Sequence, residues 1–551
     1  GLAEIVDYLS ASPGRFLRLT GKDGEERYVA LTSELRRRLD EILGLGTHAG
    51  RGLRFPSLAA PLVAELLASS QIEADASWRR QVERLTASGT EPVVPSTLRG
   101  ELRPYQIDGF RWLVRLGTWG AGGCLADEMG LGKTLQCIAL LLHRAPSGPG
   151  LVVAPTSVVP NWVDEVQRFA PTLRVRTFIG PARAADLADL GAFDLVVTSY
   201  AILQIDADAL AAISFATAVL DEAQVIKNAD TKRARAAGRL RAELRVATTG
   251  TPIENRLEDL HGIFAFLNPG LLGSSESFQA RFVRAIDRPN VRDRLRRLVA
   301  PFILRRTKTQ VLPELPSRTE VTLRIPLELE ELALYEVVRK EALAQLGSGG
   351  GPMRMKLLAA ITRLRQAASN ARLLLPDSTA PSAKLDALGE LLDDLLPSRH
   401  KVLIFSQFVG HLALVKELLH ARGVSFQYLD GSTPMAARKI AVDSFQAGRG
   451  EVFLISLKAG GFGLNLTAAD YVVHMDPWWN PAVEDQASDR AHRIGQTRPV
   501  TIYRLVARDT IEDRILALHH HKRQLAAGIL EGSELAGSIS ERELLDLIRG
   551  P

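Results

Sequence analysis

Residues Gly122 to Gln136 read GGCLADEMGLGKTLQ and run on into CIALLLH, a glycine-rich turn that opens a strongly apolar helix. Glycines at 130 and 132 let backbone N–H groups approach phosphate oxygens, and the N-terminus of the following helix favours an anion. Lys133 stands where an ammonium reaches β and γ phosphates, and Thr134 where a hydroxyl ligates Mg²⁺. The general phosphate-loop pattern has a glycine five residues before Gly132, and here Asp127 occupies that place. A lone GKT after glycine arises by chance often enough that the stretch needs company elsewhere in the chain.

Working outward, short β-branched runs alternate with longer stretches of helical period from about residue 100, the sign of a parallel sheet with crossover helices. Expected strands are 150–155, 174–178, 194–200, 217–223 and 245–252, then 401–408, 425–431, 451–459, 471–476 and 500–507. The fold class is therefore α/β with two similar parallel sheets. Residues 262–385 lack the strand rhythm and read as helical, broken by GSGGGP at 347–352. Near the start, RFLRLT and ERYVALT flank GKDGE as a strand pair. These shifts divide the chain into an accessory segment (1–95), a first lobe with a helical insertion (96–312), a helical linker or protrusion (313–385), a second lobe (386–530) and a helical tail (531–551).

Composition sets the frame. With 551 residues, 46% hydrophobic and 24% charged, the chain is long enough for several folded units and is neither disordered nor fibrous in type. Its only cysteines, Cys124 and Cys137, sit in apolar surroundings and read as reduced core thiols of a cytoplasmic protein. The longest apolar run, LAAISFATAVL ending at Leu220, falls short of the roughly 18 residues of a membrane span. A net charge of +5 permits a polyanion partner without identifying one. Arginine-rich stretches at 231–245 and 292–308 read first as solvated helix faces.

The company for the phosphate loop comes at AVLDEAQ, where an apolar strand ends in Asp221 and Glu222. At a strand's C-terminal edge, beside the phosphate crevice, Asp221 can hold Mg²⁺ through water and Glu222 can orient an attacking water. RVATTGTPIEN places Thr249 at the end of another strand, and LRPYQIDGFRWL offers Gln106, whose amide can read an adenine edge. DQASDRAHRIGQ spaces Arg490 and Arg493 three apart, which predicts one face of a helix. Guanidinium groups aimed there at a phosphoryl group would stabilise transition-state charge.

In this order, LRPYQIDGFRWL, LADEMGLGKTLQ, VVAPTSVVPNW, VLDEAQVIKN, TTGTPIENRLEDL, LVAPFILRRTK, VLIFSQF and SLKAGGFGLNLTAADYVVHMDPWWNPAVEDQASDRAHRIGQ resemble the Swi/Snf-related branch of superfamily 2 helicase-like ATPases. The similarity runs from about residue 98 to 530, and in that family the phosphate loop itself carries Asp at the place of Asp127. The resemblance implies two RecA-like lobes, ATP and Mg²⁺ as cofactors, and ATP hydrolysis stimulated by double-stranded DNA, with movement along the duplex and no lasting strand separation. It makes Gln106, Asp127, Gly130, Gly132, Lys133, Thr134 and Gln486 nucleotide contacts, Thr134 and Asp221 the Mg²⁺ ligands, and Lys133, Asp221, Glu222, Arg490 and Arg493 the catalytic set. Pro155, Thr156, Asn161, Trp162, Thr249, Ser406, Gln407, Lys458, Gly460, Trp478 and Asn480 would line the DNA path.

Two departures stand out: Gln224 replaces a frequent His, and Ala371 a frequent Pro. The run HHHK at 519–522 reads as helix surface rather than a metal site. A strand-separating helicase, an RNA-stimulated ATPase and a nucleotide-gated binding module without hydrolysis are the competing readings. A DNA-bound protein is the expected remodelling target, no membrane is involved, and the lack of chromatin-reading modules together with Arg and Ala richness points to a bacterial, nucleoid-associated setting.

Overall fold

In the computed structural model, residues 16–20, 26–30, 45, 47–49, 52–67, 76–86, 91–181, 183–250, 257–284, 289–347, 353–457, 464–517 and 541–549 are described. The described residues divide into two compact units, one from those within 1–126 and 134–305, the other from those within 127–133, 306–526 and 541–549. Before the first large sheet come two antiparallel pairs, β1 (Phe16–Thr20) with β2 (Glu26–Ala30) and β3 (Thr47–Ala49) with β4 (Gly52–Arg54). The first is the strand pair expected at the N-terminus. Its GKDGE turn lies outside the described residues, as does HHHK.

The first unit is built on a seven-stranded parallel sheet in the order β11-β5-β10-β9-β6-β8-β7. These strands are β5 (Gly123–Leu125), β6 (Gly150–Ala154), β7 (Arg174–Phe178), β8 (Asp194–Ser199), β9 (Ser214–Asp221), β10 (Arg241–Thr248) and β11 (Ile303–Leu304). The central strands read as unbroken apolar runs because both of their faces are covered: every residue of β6 and β8 is buried. Since β10 pairs with both β5 and β9, the chain leaves β5 at the sheet edge where Asp221 ends β9. That adjacency is what the phosphate-loop reading requires.

The second unit carries a six-stranded parallel sheet in the order β12-β17-β16-β13-β15-β14. Its strands are β12 (Arg318–Ile325), β13 (Val402–Ser406), β14 (Phe426–Leu429), β15 (Val452–Ser456), β16 (Tyr471–His474) and β17 (Val500–Ala507). The helices Leu329–Gly347 and Met353–Ser369 pack with Glu541–Arg549 around Tyr335, Ile361 and Leu364, which are almost wholly buried.

Three strands depart from the expected pattern. β11 and β12 run through the stretch that reads as helical; β12 forms eight paired positions with β17, from Arg318↔Val500 to Ile325↔Ala507. Its sequence, RTEVTLRI, lies at a sheet edge and is only partly covered, so it lacks the continuous apolar signature of its neighbours. β5 falls where the sequence reads as a glycine-rich turn. Both cysteines are buried and neither is in a disulfide, in agreement with core thiols.

Candidate nucleotide site and nucleic-acid path

Within the second unit the phosphate loop is pinned by one tripeptide, Arg306–Lys308. Asp127 is completely buried and receives both arms of the Arg306 guanidinium, Nε to Oδ1 at 2.9 Å and Nη2 to Oδ2 at 2.5 Å. The Glu128 N–H donates to the Arg306 carbonyl at 2.9 Å, and the Lys308 N–H donates to the Glu128 carboxylate at 2.7 Å. Asp127, expected as a nucleotide contact, turns both carboxylate oxygens to Arg306 in this structure. A buried bidentate pair of this kind is costly to break from one side, which fixes the loop's shape. Nothing in the local sequence singles out Arg306, although it stands in the segment LVAPFILRRTK.

Lys308 extends the anchor to the segment that carries the arginines. Its ammonium donates to Asp489 Oδ1 at 2.7 Å and to the His492 carbonyl at 2.6 Å. Gly130 has φ 85°, and a Cβ there would stand 2.7 Å from Arg493 Cβ, so the loop's approach to Arg493 admits only glycine. Lys133 donates from Nζ to the Asp127 carbonyl at 2.7 Å, while Thr134 lies half-buried in the first turn of the helix Lys133–Arg144.

Arg490 and Arg493 are not on one helix face, as their spacing predicts. The helix Pro481–Ser488 ends before them, and both lie in the turns that follow. The Arg490 carbonyl accepts from the Leu466 N–H at 3.0 Å, and Arg493 Nη1 donates to the Leu464 carbonyl at 3.3 Å, so tertiary bonds rather than helical period set their placement. Gln486 is half-buried within that helix.

The acidic pair of the first unit is held by several donors. Thr248 donates from Oγ1 to Asp221 Oδ1 at 2.6 Å, the Glu222 N–H donates to the same oxygen at 3.0 Å, and the Trp162 indole donates to Oδ2 at 2.8 Å. Tyr200 donates its hydroxyl to the Asp221 carbonyl at 2.8 Å. Burial, then the neighbouring Asp221 and Glu222 charges, push the Tyr200 phenol well above its ordinary range, so it stays a donor. Glu222 itself holds φ 52° and ψ 52°, a left-handed conformation unusual for a side-chain-bearing residue. Its carboxylate accepts from Gln224 Nε2 at 2.7 Å, and Gln224 Oε1 accepts from Thr249 Oγ1 at 2.9 Å.

The remaining expected contacts fall into three groups. Thr156 is exposed, and Pro155, Asn161, Gln407, Trp478 and Asn480 are half-buried, so their side chains reach the surface. Trp162, Thr249 and Ser406 are fully buried and bonded inward, Trp162 to Asp221, Thr249 to Gln224 and Ser406 to Asp476 Oδ2 at 2.5 Å. Lys458 and Gly460 lie outside the described residues. Gln106 is also turned inward: it is 3% exposed and its Oε1 accepts from the Arg103 N–H at 2.9 Å, closing a capping box on the helix Pro104–Trp119.

Two loops of the second unit share one support. Asp476 takes the Ser406 hydroxyl and the Gln407 N–H, while Arg365 lies within about 6 Å of the rings of Phe408, Trp478 and Trp479 and donates to the Pro477 carbonyl. Neither Arg365 nor Asp476 is legible as functional from the sequence.

The SNF2-related domain matches residues 105–373 and the Helicase conserved C-terminal domain matches residues 383–495. The chain belongs to the SNF2-related family. It is 40% identical over 501 residues to the putative ATP-dependent helicase/translocase YwqA of Bacillus subtilis, covering 87% of this chain and 54% of that protein. It is 35% identical over 486 residues to the mouse SWI/SNF-related matrix-associated actin-dependent regulator of chromatin subfamily A member 1, covering 83% of this chain and 46% of that one. This SNF2-related chain therefore spans about half the length of these curated relatives. The solved Sulfolobus solfataricus SWI2/SNF2 ATPase core in complex with dsDNA shares 35% identity, covers 83% of this chain and 99% of that one, and superposes with a TM-score of 0.42.

For a member of the SNF2-related family the implied cofactors are a nucleoside triphosphate and Mg²⁺. Among the described residues no cluster of three or more His, Cys, Asp or Glu side chains forms a metal cage. Mg²⁺ takes one or two protein oxygen ligands and completes its shell with phosphates and water, and a hydroxyl and a carboxylate such as those of Thr134 and Asp221 are oxygen donors of that kind. No helix among the described residues is long and apolar enough to cross a membrane.

Proposed function

We propose that this chain is an ATP-dependent translocase on double-stranded DNA that remodels protein–DNA complexes without stable strand separation. The observation that carries the reading is the acidic pair: Asp221 is held by three donors and Glu222 is held in a left-handed turn next to Gln224. Such fixation of two carboxylates, on the same sheet from which a phosphate loop departs, is expected where charge must be placed in advance of phosphoryl transfer. When bound, Mg²⁺ would neutralise charge on the transferred phosphoryl group. Thr134 and Asp221 would hold it, Lys133 would meet the outer phosphates, and Glu222 would orient the attacking water. Arg490 and Arg493 would meet the developing charge, with Gln486 nearby on the preceding helix.

Thr156, Asn161, Gln407, Trp478 and Asn480 would meet the duplex, mostly at phosphates, so binding should tolerate sequence and weaken steeply with salt. Translocation is supported by the name of the Bacillus relative, a helicase/translocase, and work on protein-bound DNA by that of the mouse relative, a regulator of chromatin. Double-stranded DNA as the partner rests on the resemblance of the motifs along the chain.

The decisive measurement is steady-state ATP hydrolysis with saturating duplex, single-stranded DNA and RNA in parallel, against a Glu222→Gln variant. Duplex should stimulate the parent chain most, and the variant should bind nucleotide but hydrolyse at least about a hundredfold more slowly. Parent activity no higher than that of the variant would end the motor reading. Release of a labelled strand from a forked duplex would favour the strand-separating helicase instead.

A further inference from the structure

The motif resemblance sets Trp162 on the DNA path, yet its side chain is wholly buried and its one polar atom points at the acidic pair. A carboxylate offers about four acceptor sites, roughly two on each oxygen. At Asp221, Thr248 Oγ1 and the Glu222 N–H both use Oδ1, and the Trp162 indole uses Oδ2. Among the described residues, one acceptor position on Oδ2 is left, and the indole decides which one it is. Trp162 sits on the helix Val159–Phe169, one residue after Asn161, whose half-buried amide donates to Glu165 Oε1 at 3.0 Å. A displacement of that helix therefore moves the indole with it.

We propose that Trp162 is a positioning residue that orients the Mg²⁺-facing oxygen of Asp221, and that the Val159–Phe169 helix thereby carries duplex engagement to the acidic pair. The first half rests on the hydrogen bond, the burial of Trp162 and the proposed role of Asp221 as a Mg²⁺ ligand. The second rests on the duplex-translocase reading, in which Thr156 and Asn161 meet DNA. Outer groups that orient a metal-ligating side chain are commonly worth about 10- to 100-fold in metal affinity. Linkage requires that if duplex binding reaches Asp221 through this bond, duplex shifts Mg²⁺–nucleotide affinity and Mg²⁺–nucleotide shifts duplex affinity by the same factor.

The test uses the whole chain with Trp162→Phe, which keeps an aromatic ring and removes the N–H. Binding of a fluorescent, non-hydrolysable ATP analogue is titrated with Mg²⁺, without and with duplex, and duplex affinity is measured separately. In the variant the half-saturating Mg²⁺ without DNA should rise about tenfold or more. Duplex affinity should stay within about twofold of the parent, whereas Thr156→Ala and Asn161→Ala should lower it. The factor by which duplex shifts Mg²⁺–nucleotide affinity should fall towards about one.

Unchanged Mg²⁺ dependence in the variant overturns the positioning role. Reduced duplex affinity with unchanged Mg²⁺ dependence returns Trp162 to the DNA path. A duplex-induced factor equal to the parent's overturns the coupling while leaving the positioning role to the DNA-free titration. If duplex neither binds nor stimulates the parent chain, the translocase reading and the coupling fail together, and the DNA-free titration still decides what Trp162 does. Should Trp162→Phe misfold, 3-benzothienylalanine at that position keeps the bicyclic outline without the N–H, and the same titrations apply.

Discussion

Gln224 donates from its amide to Glu222 Oε2 at 2.7 Å and accepts from Thr249 Oγ1 at 2.9 Å, so a single carboxamide ties the acidic pair to the end of β10. A neutral His, which the family resemblance leads one to expect here, has one donor and one acceptor nitrogen and could satisfy the same two partners. Gln224→Ala should lower kcat for ATP about tenfold while leaving nucleotide affinity near the parent's, since Glu222 loses its orienting donor. Gln224→His should recover most of that rate. Steady-state kinetics on both variants check this, and equal loss in the two would show that volume rather than hydrogen bonding matters.

Gly262 lies in the helix Leu257–Leu267 where that helix meets the turn after the acidic pair. A Cβ at this position would stand 2.0 Å from the Lys227 carbonyl oxygen and 2.9 Å from that of Ile226. Both contacts are to backbone, so the 3₁₀ turn Ala223–Ile226 must shift to admit even a methyl group. Gly262→Ala is expected to cost about 1–3 kcal/mol of stability. Because the displaced turn carries Gln224, kcat should fall together with the thermal midpoint. A variant as stable as the parent but impaired in hydrolysis would separate the two effects.

Lys384 and Glu512 form an ion pair with neither side chain exposed, at 2.6 and 2.8 Å, and Lys384 also donates to the Met475 carbonyl at 2.8 Å. Burial raises the Glu512 carboxyl above its ordinary range, against the pull of Lys384. Lys384→Met leaves that carboxyl without its partner and should destabilise the second unit by about 3–5 kcal/mol. The double variant Lys384→Met with Glu512→Leu should recover most of the loss. Chemical denaturation of the three proteins reads this directly, and a double variant no better than the single one would assign the pair a net stabilising role.

Much of the fold can be read from the chain because parallel strands covered on both faces leave continuous apolar runs. β7 and β17 fall on the expected residues, and most others differ only at their ends. β5 escapes because three residues, GCL, beginning at a glycine, give no periodicity to detect. β12 escapes because an edge strand with partial cover can carry Arg, Thr and Glu. The acidic pair is legible from its place at a strand end. Its supports are not: Trp162 and Asp221 are 59 positions apart, and Asp127 and Arg306 are 179 apart. No local spacing encodes such pairs. Arg490 and Arg493 are recognisable by type but misplaced by period, since the chain abandons the helix at Ser488 to bond with Leu464 and Leu466.

His474, at the end of β16, links stability of the second unit to acid. Its ring is 1% exposed, stacks on Phe405 at 5.5 Å, and places Nε2 2.9 Å from Ser488 Oγ. Burial lowers its pKa to about 4, against an ordinary value of 6.5. The folded chain therefore keeps the ring neutral while the unfolded chain takes up a proton once pH falls below about 6.5. Stability is full above that pH, declines as pH drops towards about 4, and loses about 3 kcal/mol from this residue across the interval. Burial depresses His411 and His492 in the same direction, so the whole protein should lose more than this single share. Denaturation midpoints measured from pH 7.5 to 4 should show a shallower decline in His474→Gln than in the parent. An identical slope in the two proteins would mean that the ring is already protonated in the folded state above pH 6, and that Ser488 rather than burial governs it.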